Sequence, residues 1–332
     1  MSPPPPRAAV VLGTRGSALA RAQTGHVAGL LQAAWPGLEC EARPIVTRGD
    51  RTQASGEPLP EIGGKGLFTA ELEQALRDGE IDLAVHSLKD LPTADPPDVA
   101  LGAVCEREDA GDCLVARDGL GLAGLPPGAV VGTSSLRRTA QLRALRPDLE
   151  VRSVRGNVDT RVRKVREGEL DAVLLALAGI RRLGLEDAVT EVLEDMLPAP
   201  GQGALAVQCR VGDEPVLRLL GPIDDPATRA ATTAERAFLR ALDAGCTAPV
   251  AAHAAPIRDD GVRPSDKVSQ GRVVVRLEGL VASVDGTRVV RVSGVGEPEE
   301  VGTRLAEEAL ADGADRVLAA VKAEAAGHGP RP

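Results

Sequence analysis

The sequence of 332 residues is almost without aromatic side chains, since it has one Trp, two Phe and no Tyr. Proteins that bind single-stranded nucleic acid commonly stack the bases on aromatic rings, and this chain has too few rings for such a platform. The formal net charge of −9 also disfavours general attraction to a polyanionic backbone. Nucleic acid is therefore not expected as a partner.

Cysteine and histidine are scarce as well, with five Cys and four His in the chain. No two cysteines form a CxxC pair and the histidines are scattered, so no metal site is expected. The odd number of cysteines, and the lack of a long apolar segment near the first residue, favour a reducing, cytoplasmic setting. The longest apolar run, residues 172–180, is far too short to span a membrane.

The composition is that of an ordinary globular protein, 43% hydrophobic and 26% charged. At 332 residues, the chain is long enough for two or three domains. Strand-like and helix-like segments alternate through the first 105 residues, and the alternation restarts after residue 109. This order predicts two α/β domains with mainly parallel sheets. After about residue 225, a hairpin signal at Asp285-Gly286 and a closing helix, residues 299–321, predict a small α+β domain.

The turn-rich stretch from Pro198 to Gly203 would return the chain to the first domain. The predicted division is residues 1–105 with 200–222 for the first α/β domain, 109–197 for the second, 226–322 for the α+β domain, and 323–332 for a tail.

Positive charge is concentrated in one part of this acidic chain. Residues 133–182 hold eleven Arg and one Lys against six acidic side chains, a net charge of +6. Such an island indicates a site for a small polyanion, although a solvated helix face lined with arginine would have the same composition.

Hydroxyl and guanidinium groups recur where predicted helices begin. Thr133 to Arg138 opens one helix, Arg155 to Arg161 opens the next, and Arg15 with Ser17 has the same place in the first domain. Helix N-termini bind anions, and arginine forks match carboxylates. The three turns together predict that anionic groups are held between the two α/β domains.

One carboxylate and one thiol are in positions suited to chemistry. Asp90 follows the strand-like segment 81–85, and a carboxylate at the carboxyl end of a strand can move protons and stabilise a developing cation. It could equally form a surface pair with Lys89 or cap a turn. Cys246 lies between Gly245 and Pro249 in a predicted loop, where it is either a nucleophile or covalent anchor, or an inert small hydrophobe.

Eight motifs connect these observations to a known family. In chain order they are GTRGSALA (13–20), GGKGLF (63–68), HSLKDLP (86–92), GTSSLRR (132–138), RGNVDTR (155–161), LALAGIRRLG (175–184), PGQGAL (200–205) and AGCTAP (244–249). From about residue 8 to residue 322 the sequence resembles the porphobilinogen deaminases, also called hydroxymethylbilane synthases.

The resemblance implies two α/β domains like the lobes of a type II periplasmic binding protein, a small C-terminal α+β domain, and a monomer. It implies a transferase of porphyrin (haem, tetrapyrrole) biosynthesis that condenses four porphobilinogen molecules head to tail, with loss of ammonia, into hydroxymethylbilane. The chain would grow on a dipyrromethane cofactor joined by a thioether to Cys246. The product would pass to a tetrapyrrole-cyclising enzyme.

The resemblance also implies roles for individual residues. Asp90 would be the catalytic carboxylate that assists ammonia departure, stabilises the methylene-pyrrolenine cation and manages the pyrrole protons. The residues implied to bind substrate are Arg15, Ser17, Arg155, Arg161 and Arg182. The residues implied to bind the cofactor, besides Cys246, are Lys65, Ser87, Lys89, Thr133, Ser135, Arg137 and Arg138.

Two departures from the family pattern are Ala244 and Ala251, at positions where glycine is common; both could stiffen the cysteine loop. The alternative function is a non-catalytic two-lobed protein, or effector domain, that binds small anions. Such a protein would need the arginines but would have no use for Asp90 or Cys246.

Overall fold

A computed structural model of the chain describes residues 5–47, 69–94, 96–245, 248–257 and 273–327. The chain divides into two compact units, one of residues 1–59, 64–108 and 204–229, and one of residues 60–63, 109–203 and 230–332. The predicted cofactor residues Lys65 and Cys246, with the GGKGLF motif, lie outside the described residues.

The first unit contains a five-stranded sheet with the order β2-β1-β3-β10-β4. Its strands are β1 (Ala9–Thr14), β2 (Glu39–Pro44), β3 (Leu83–Ser87), β4 (Val99–Val104) and β10 (Leu205–Arg210). Its helices are α1 (Ala18–Ala34), α2 (Ala70–Arg77) and α6 (Glu214–Leu220). Strand β1 is parallel to β2 and β3, whereas β10 is antiparallel to β3 and β4.

The second unit begins with a sheet of the order β7-β6-β8-β5-β9. Its strands are β5 (Asp112–Ala116), β6 (Val130–Gly132), β7 (Glu150–Arg152), β8 (Ala172–Ala176) and β9 (Glu191–Leu193). The helices that follow β6, β7 and β8 are α3 (Leu136–Leu145), α4 (Val158–Arg166) and α5 (Leu177–Arg182).

In both sheets, an aspartate side chain at an equivalent position accepts a hydrogen bond from a backbone amide of the neighbouring strand. In the first, Asp82 precedes β3 and its carboxylate accepts the amide of Val11, 3.0 Å away. In the second, Asp171 precedes β8 and accepts the amide of Val130, 2.8 Å away. A buried strand edge needs its amides satisfied, and an aspartate at the head of the neighbouring strand satisfies one in each sheet. The two α/β domains therefore repeat one architecture.

The prediction of mainly parallel sheets is confirmed, since four of the five strands in each sheet run in the same direction, but each sheet also contains one reversed strand that was not predicted. In each sheet one strand, β10 or β5, runs antiparallel to the strands on both sides of it. The alternation of strands and helices predicts crossovers between parallel neighbours, but it does not reveal a strand that enters the sheet from a distant part of the chain. Strand β10, for example, pairs with β3 across more than a hundred residues.

The second unit also contains an antiparallel sheet with the order β11-β12-β13. The strands are β11 (Val250–Pro256), β12 (Val275–Ala282) and β13 (Val289–Gly296), and the helices are α7 (Pro226–Ala241), whose first four residues fall in the first unit, α8 (Pro298–Ala309) and α9 (Asp315–Gly327). The buried ring of Phe238 packs against Gly279, where an added Cβ would lie 2.6 Å from the ring. The predicted hairpin at Asp285-Gly286 is confirmed as the β12–β13 connection. With it, the predicted fold class of two α/β domains and a small α+β domain is confirmed.

The sequence predicts a closing helix with weak points at Gly302 and Gly313; the structure divides the helix at Gly313, whereas Gly302 lies within α8. A π-helical turn, Leu310–Ala314, separates α8 from α9. Gly313 has a φ of +95° there, which an L side chain rarely adopts, so a regular helix cannot continue through it. The helix is therefore divided in two at this turn.

The α+β domain packs directly on α3, the helix that carries the GTSSLRR arginines. Ala140 of α3 forms one buried apolar cluster with Ala251 and Leu280. Arg143 donates to the carbonyl of Val284 over 3.0 Å. Gly286 fits against the α3 backbone, since an added Cβ would lie 2.5 Å from the Ala144 amide nitrogen. The methyl group of Ala251, where the family commonly has glycine, is thus part of this contact.

Over the portion of the chain that the structure describes, none of the helices combines the length and the apolar character needed to cross a bilayer.

Candidate active site

The carboxyl ends of β1 and β3 open onto a small cleft in the first unit, with a volume of about 60 Å³. The two strands are parallel, so the residues that follow them meet at one edge of the sheet. The polar side chains that line the cleft are those of Arg15, Ser17, Gln23, Thr69, His86, Ser87 and Asp90. Four predicted site residues, Arg15, Ser17, Ser87 and Asp90, are therefore brought together.

Asp90 is presented to the cleft by a short 3-10 turn, Leu88–Asp90. Leu88 and Leu91 on either side are buried, and the Leu88 amide donates to the carbonyl of Ala204 over 3.0 Å. Asp90 itself is exposed, and no hydrogen bond or ion pair to its carboxylate occurs within the described residues. The fold thus holds the turn firmly and leaves this carboxylate available for a ligand.

Two hydroxyl groups in the cleft are fixed by their neighbours. Ser17 caps α1, because its Oγ accepts the amide of Ala20 over 3.2 Å. Gln23 of α1 is buried and its Nε2 donates to Ser87 Oγ over 2.8 Å. Gln23 was missed in the sequence analysis. The available signal was a polar residue on the apolar face of an amphipathic helix.

His86 is the other residue of the cleft that was not assigned a role. It is buried in β3, and burial, followed by the positive charge of Arg15, lowers the pKa of His86 to about 4. The imidazole is therefore neutral at ordinary pH.

In the second α/β domain the predicted residues Thr133 and Ser135 shape the start of α3. Thr133 Oγ1 accepts the amide of Ser135 over 3.2 Å, and Ser135 Oγ accepts the amide of Arg138 over 3.5 Å. Strands β6, β7 and β8 are parallel, so the turns that follow them lie at one edge of the sheet. The turn with Arg155 and the helix with Arg182 follow β7 and β8.

Arg137 and Arg138 are buried, and both form ion pairs with a carboxylate that was not predicted from the sequence. Asp112, wholly buried at the head of β5, lies 2.6 Å from Arg137 Nη1 and 2.7 Å from Arg138 Nη2. Gln202 Nε2 also donates to it over 2.8 Å. Burial would raise the pKa of Asp112, but the charges of the two arginines outweigh burial and hold that pKa well below its usual range.

Two arginines share this single carboxylate, so the cluster keeps an excess of positive charge. Arg161 adds to the excess. It is half-buried and donates to the carbonyl of Gly156 over 2.8 Å, and it has no carboxylate partner within the described residues. Burial and the nearby charge of Arg138 lower the pKa of Arg161, as expected of a cation held without an anion.

The remaining predicted arginines are in different surroundings. Arg155 is exposed, and Arg182 is half-buried and donates to the carbonyl of Gly203 over 2.6 Å. Much of the arginine-rich segment forms ion pairs with nearby acidic side chains, namely Arg146–Asp148, Arg152–Glu150, Arg163–Glu167, Lys164–Glu169 and Arg181–Asp109. For these residues, the positive charge of segment 133–182 is better explained by solvated surface ion pairs than by a site for a polyanion.

No group of His, Cys, Asp and Glu side chains among the described residues is arranged to hold a metal ion.

Comparison with known proteins identifies the family. A family model described as "Porphobilinogen deaminase, dipyromethane cofactor binding domain" matches residues 10–218, and one described as "Porphobilinogen deaminase, C-terminal domain" matches residues 230–311. The chain belongs to the porphobilinogen deaminase family. The first match contains both the Asp90 cleft and the Asp112 cluster. The second lies within the α+β domain.

Full-length relatives of the family agree with this assignment. Porphobilinogen deaminases from Roseiflexus castenholzii and Desulforudis audaxviator are each 50% identical to this chain, over 317 and 324 residues. The alignments cover 94% and 96% of this chain and 99% and 100% of the relatives. Among solved structures, the periplasmic VFT2 domain of BvgS from Bordetella pertussis is 16% identical with a TM-score of 0.40, covering 65% of this chain and 86% of that one.

As a member of this family the chain is a transferase of tetrapyrrole biosynthesis that condenses porphobilinogen into hydroxymethylbilane and uses a dipyrromethane cofactor. The alternative of a non-catalytic anion-binding protein finds no support in these relatives.

Proposed function

We propose that the cleft of the first unit is the catalytic centre and that Asp90 drives the loss of ammonia from porphobilinogen there. The observation that carries this proposal is the exposed carboxylate of Asp90, which no hydrogen bond or ion pair occupies within the described residues. Loss of ammonia leaves a cation spread over the pyrrole ring and its methylene carbon. A carboxylate beside that cation lowers the energy of the transition state and can accept the pyrrole proton afterwards.

The arginines then supply the counter-charge for the pyrrole side chains. Each porphobilinogen unit carries an acetate and a propionate group, so a growing chain accumulates negative charge with every ring. Arg15 in the cleft and Arg161 beside the buried cluster are cations suited to such carboxylates. The substrate-binding residues of this proposal are Arg15, Ser17, Arg155, Arg161 and Arg182.

The dipyrromethane cofactor, when bound, provides the primer to which the substrate rings are added. The excess positive charge of the Asp112 cluster fits a cofactor that bears carboxylates. The residues proposed to hold it, besides Cys246, are Lys65, Ser87, Lys89, Thr133, Ser135, Arg137 and Arg138. Because the guanidinium groups of Arg137 and Arg138 contact Asp112, their contribution is mainly a fixed positive potential.

Cys246 is proposed as the covalent anchor of the cofactor, and the other cysteines support the choice by their burial. Burial raises the pKa of Cys113 to about 12 and that of Cys209 to about 11, so their thiols resist becoming thiolates. Cys105 is buried as well, and burial raises the pKa of the half-buried Cys40. Cys246 follows α7 and precedes β11, in the connection between two elements of the α+β domain.

For the domain division we propose the one predicted from the sequence: residues 1–105 with 200–222, residues 109–197, residues 226–322, and residues 323–332 as a tail. We further propose a monomer that works in the cytoplasm and passes its product to a tetrapyrrole-cyclising enzyme.

The stoichiometry of the reaction tests the proposed function. Purified protein incubated with porphobilinogen should release four molecules of ammonia for each hydroxymethylbilane formed. Ammonia is measured by an enzyme-coupled assay, and the linear tetrapyrrole by mass spectrometry of the quenched mixture. Substrate binding without ammonia release would contradict the proposal and indicate a binding protein.

A further inference from the structure

A serine without an assigned role joins the turns that follow β6 and β7 in the second α/β domain. Ser134 lies between Thr133 and Ser135 in the GTSSLRR motif. Its Oγ donates to the carbonyl of Val154 over 2.6 Å and accepts the amide of Val154 over 3.0 Å. Val154 is buried and directly precedes Arg155. One side chain therefore binds both backbone groups of the residue before a proposed substrate-binding arginine. We call this pair of hydrogen bonds the Ser134–Val154 bridge.

The bridge continues the pairing of the two strands after their backbones separate. Strands β6 and β7 are parallel, with Gly132 opposite Arg152 as the last paired residues, and the Thr133 amide donates to the Arg152 carbonyl over 2.9 Å. The same register would place residue 134 opposite residue 154, but the chain turns there to begin α3. The amide and carbonyl of Val154 would lose a backbone partner, and a buried strand end needs both groups satisfied. The Ser134 hydroxyl satisfies both.

The hydrogen-bonding capacity of the Ser134 hydroxyl is used up by these neighbours. A serine hydroxyl has one hydrogen to donate and two lone pairs that accept. The hydrogen goes to the Val154 carbonyl, and the Val154 amide takes one lone pair. The Ser153 hydroxyl, 2.9 Å away, then donates to the other lone pair. Ser134 is therefore suited to holding the protein backbone and not to contacting substrate.

The bridge sets the spacing of two turns that have proposed ligands. The first turn carries Thr133 and Ser135, which shape the start of α3. The second carries Arg155, after which the chain turns sharply, since Gly156 has a φ of +109°. The side chain of Arg155 is exposed, whereas Val154 before it is buried and bound by the bridge. The backbone from which Arg155 extends is thus held at the residue that precedes it.

We propose that Ser134 is a positioning residue for substrate binding, which holds the backbone at Val154 so that Arg155 meets a carboxylate of porphobilinogen. The inference rests on the proposed function, in which Arg155 binds substrate. Arginine recognises a carboxylate through a planar fork of N–H groups, so a shift of the turn spoils the contact without removing the charge. Misplacement of a substrate-positioning group by about 1 Å is enough to produce a large loss.

The test compares Ser134→Ala with wild type and with the conservative variant Ser134→Thr. Ser134 is exposed, so Ser134→Ala should fold, which circular dichroism verifies. The KM for porphobilinogen should rise roughly five-fold or more, as expected for the loss of two hydrogen bonds. Because Asp90 lies in the other unit, kcat should change by less than about two-fold, which is the signature of lost binding alone. Ser134→Thr keeps the hydroxyl and should hold KM within about two-fold of wild type.

A double variant separates positioning of Arg155 from a general structural role. If Ser134 acts through Arg155, Ser134→Ala combined with Arg155→Leu should have the KM of Arg155→Leu within about two-fold, because effects at coupled residues do not add. Ser153→Ala is the matched control. It removes the other hydroxyl bonded to Ser134, leaves both bonds to Val154 in place, and should keep KM within about two-fold of wild type.

Three results would overturn the proposal. These are an unchanged KM in folded Ser134→Ala, an equal rise of KM in Ser134→Ala and Ser134→Thr, and a double variant in which the two effects multiply. Should Ser134→Ala fail to fold, Ser134→Cys, whose thiol is only a weak donor and acceptor, takes its place in each comparison.

Failure of the proposed function is recognised separately. An unchanged KM in Arg155→Leu would overturn the assignment of Arg155 and this inference with it, and wild-type protein that releases no ammonia would overturn the proposed function as a whole. Both results are obtained before any Ser134 variant is compared. A failure confined to the Ser134 variants, with Arg155→Leu impaired and ammonia released, would overturn this inference alone.

Discussion

Asp90→Asn is expected to lower kcat for porphobilinogen by about 10³-fold or more, while the folded protein keeps its covalent cofactor. The amide has nearly the size of the carboxylate, but it can neither accept the pyrrole proton nor place negative charge beside the substrate cation. The turn that carries residue 90 is held by the buried Leu88 and Leu91, so its backbone should be unaffected. The rate of ammonia release at saturating porphobilinogen measures the effect.

The matched control is Asp78→Asn. Asp78 is an exposed carboxylate in the same unit, hydrogen-bonded to Gln74 at the end of α2 and absent from the lining of the cleft. Its substitution should leave kcat within about two-fold of wild type, as is usual for surface changes away from a site. A wild-type kcat in Asp90→Asn would remove this carboxylate from the mechanism.

Asp112→Asn is expected to give the largest loss of stability, about 3–5 kcal/mol in the free energy of unfolding, because it leaves two buried guanidinium groups without their anion. Both partners of each pair are buried, so water cannot replace the lost charge. Denaturant unfolding followed by circular dichroism measures the difference. Asp148→Asn is the control, since Asp148 pairs with Arg146 in a more exposed position and should cost less than about 1 kcal/mol.

The difference in unfolding free energy between wild type and Asp112→Asn is also predicted to depend on pH. The folded-state pKa of Asp112 lies below its unfolded value, so the stabilisation is fully present above that unfolded value, about 3.9, and is lost as the pH falls through the lower folded pKa. The difference in unfolding free energy between wild type and Asp112→Asn should be constant from pH 5 to 8 and should narrow below about pH 4. A difference that stays constant down to pH 2.5 would contradict the assignment.

The sequence predicts the fold class well because local signals agree with it. The alternating strands and helices, and the Asp285-Gly286 turn, are all short-range patterns, and each is found in the structure. The antiparallel strands β5 and β10 were not predictable in this way. Their direction depends on pairings between distant segments, as when Leu205 of β10 pairs with Ser87 of β3.

In the candidate site, too, local patterns were predictable from the sequence and contacts between distant segments were not. The motifs contain Arg15, Ser17, Ser87 and Asp90, and the fold brings these residues to one cleft, because they lie at or just after the ends of two parallel strands. The partners that fix or neutralise site residues were missed, since they are far away in sequence. Asp112 lies 25 residues from Arg137, and Gln23 lies 64 residues from Ser87. Neither pairing has a local signature beyond a polar residue in an apolar pattern.

The central claim is that this chain builds hydroxymethylbilane on a dipyrromethane that Cys246 holds covalently. Intact mass spectrometry of the freshly purified protein, compared with Cys246→Ala, tests it most directly. Wild type should exceed its sequence mass by two linked pyrrole units, and the variant should have its bare sequence mass. If folded wild-type protein has the bare mass, and gains no adduct when porphobilinogen is added, the claim is contradicted.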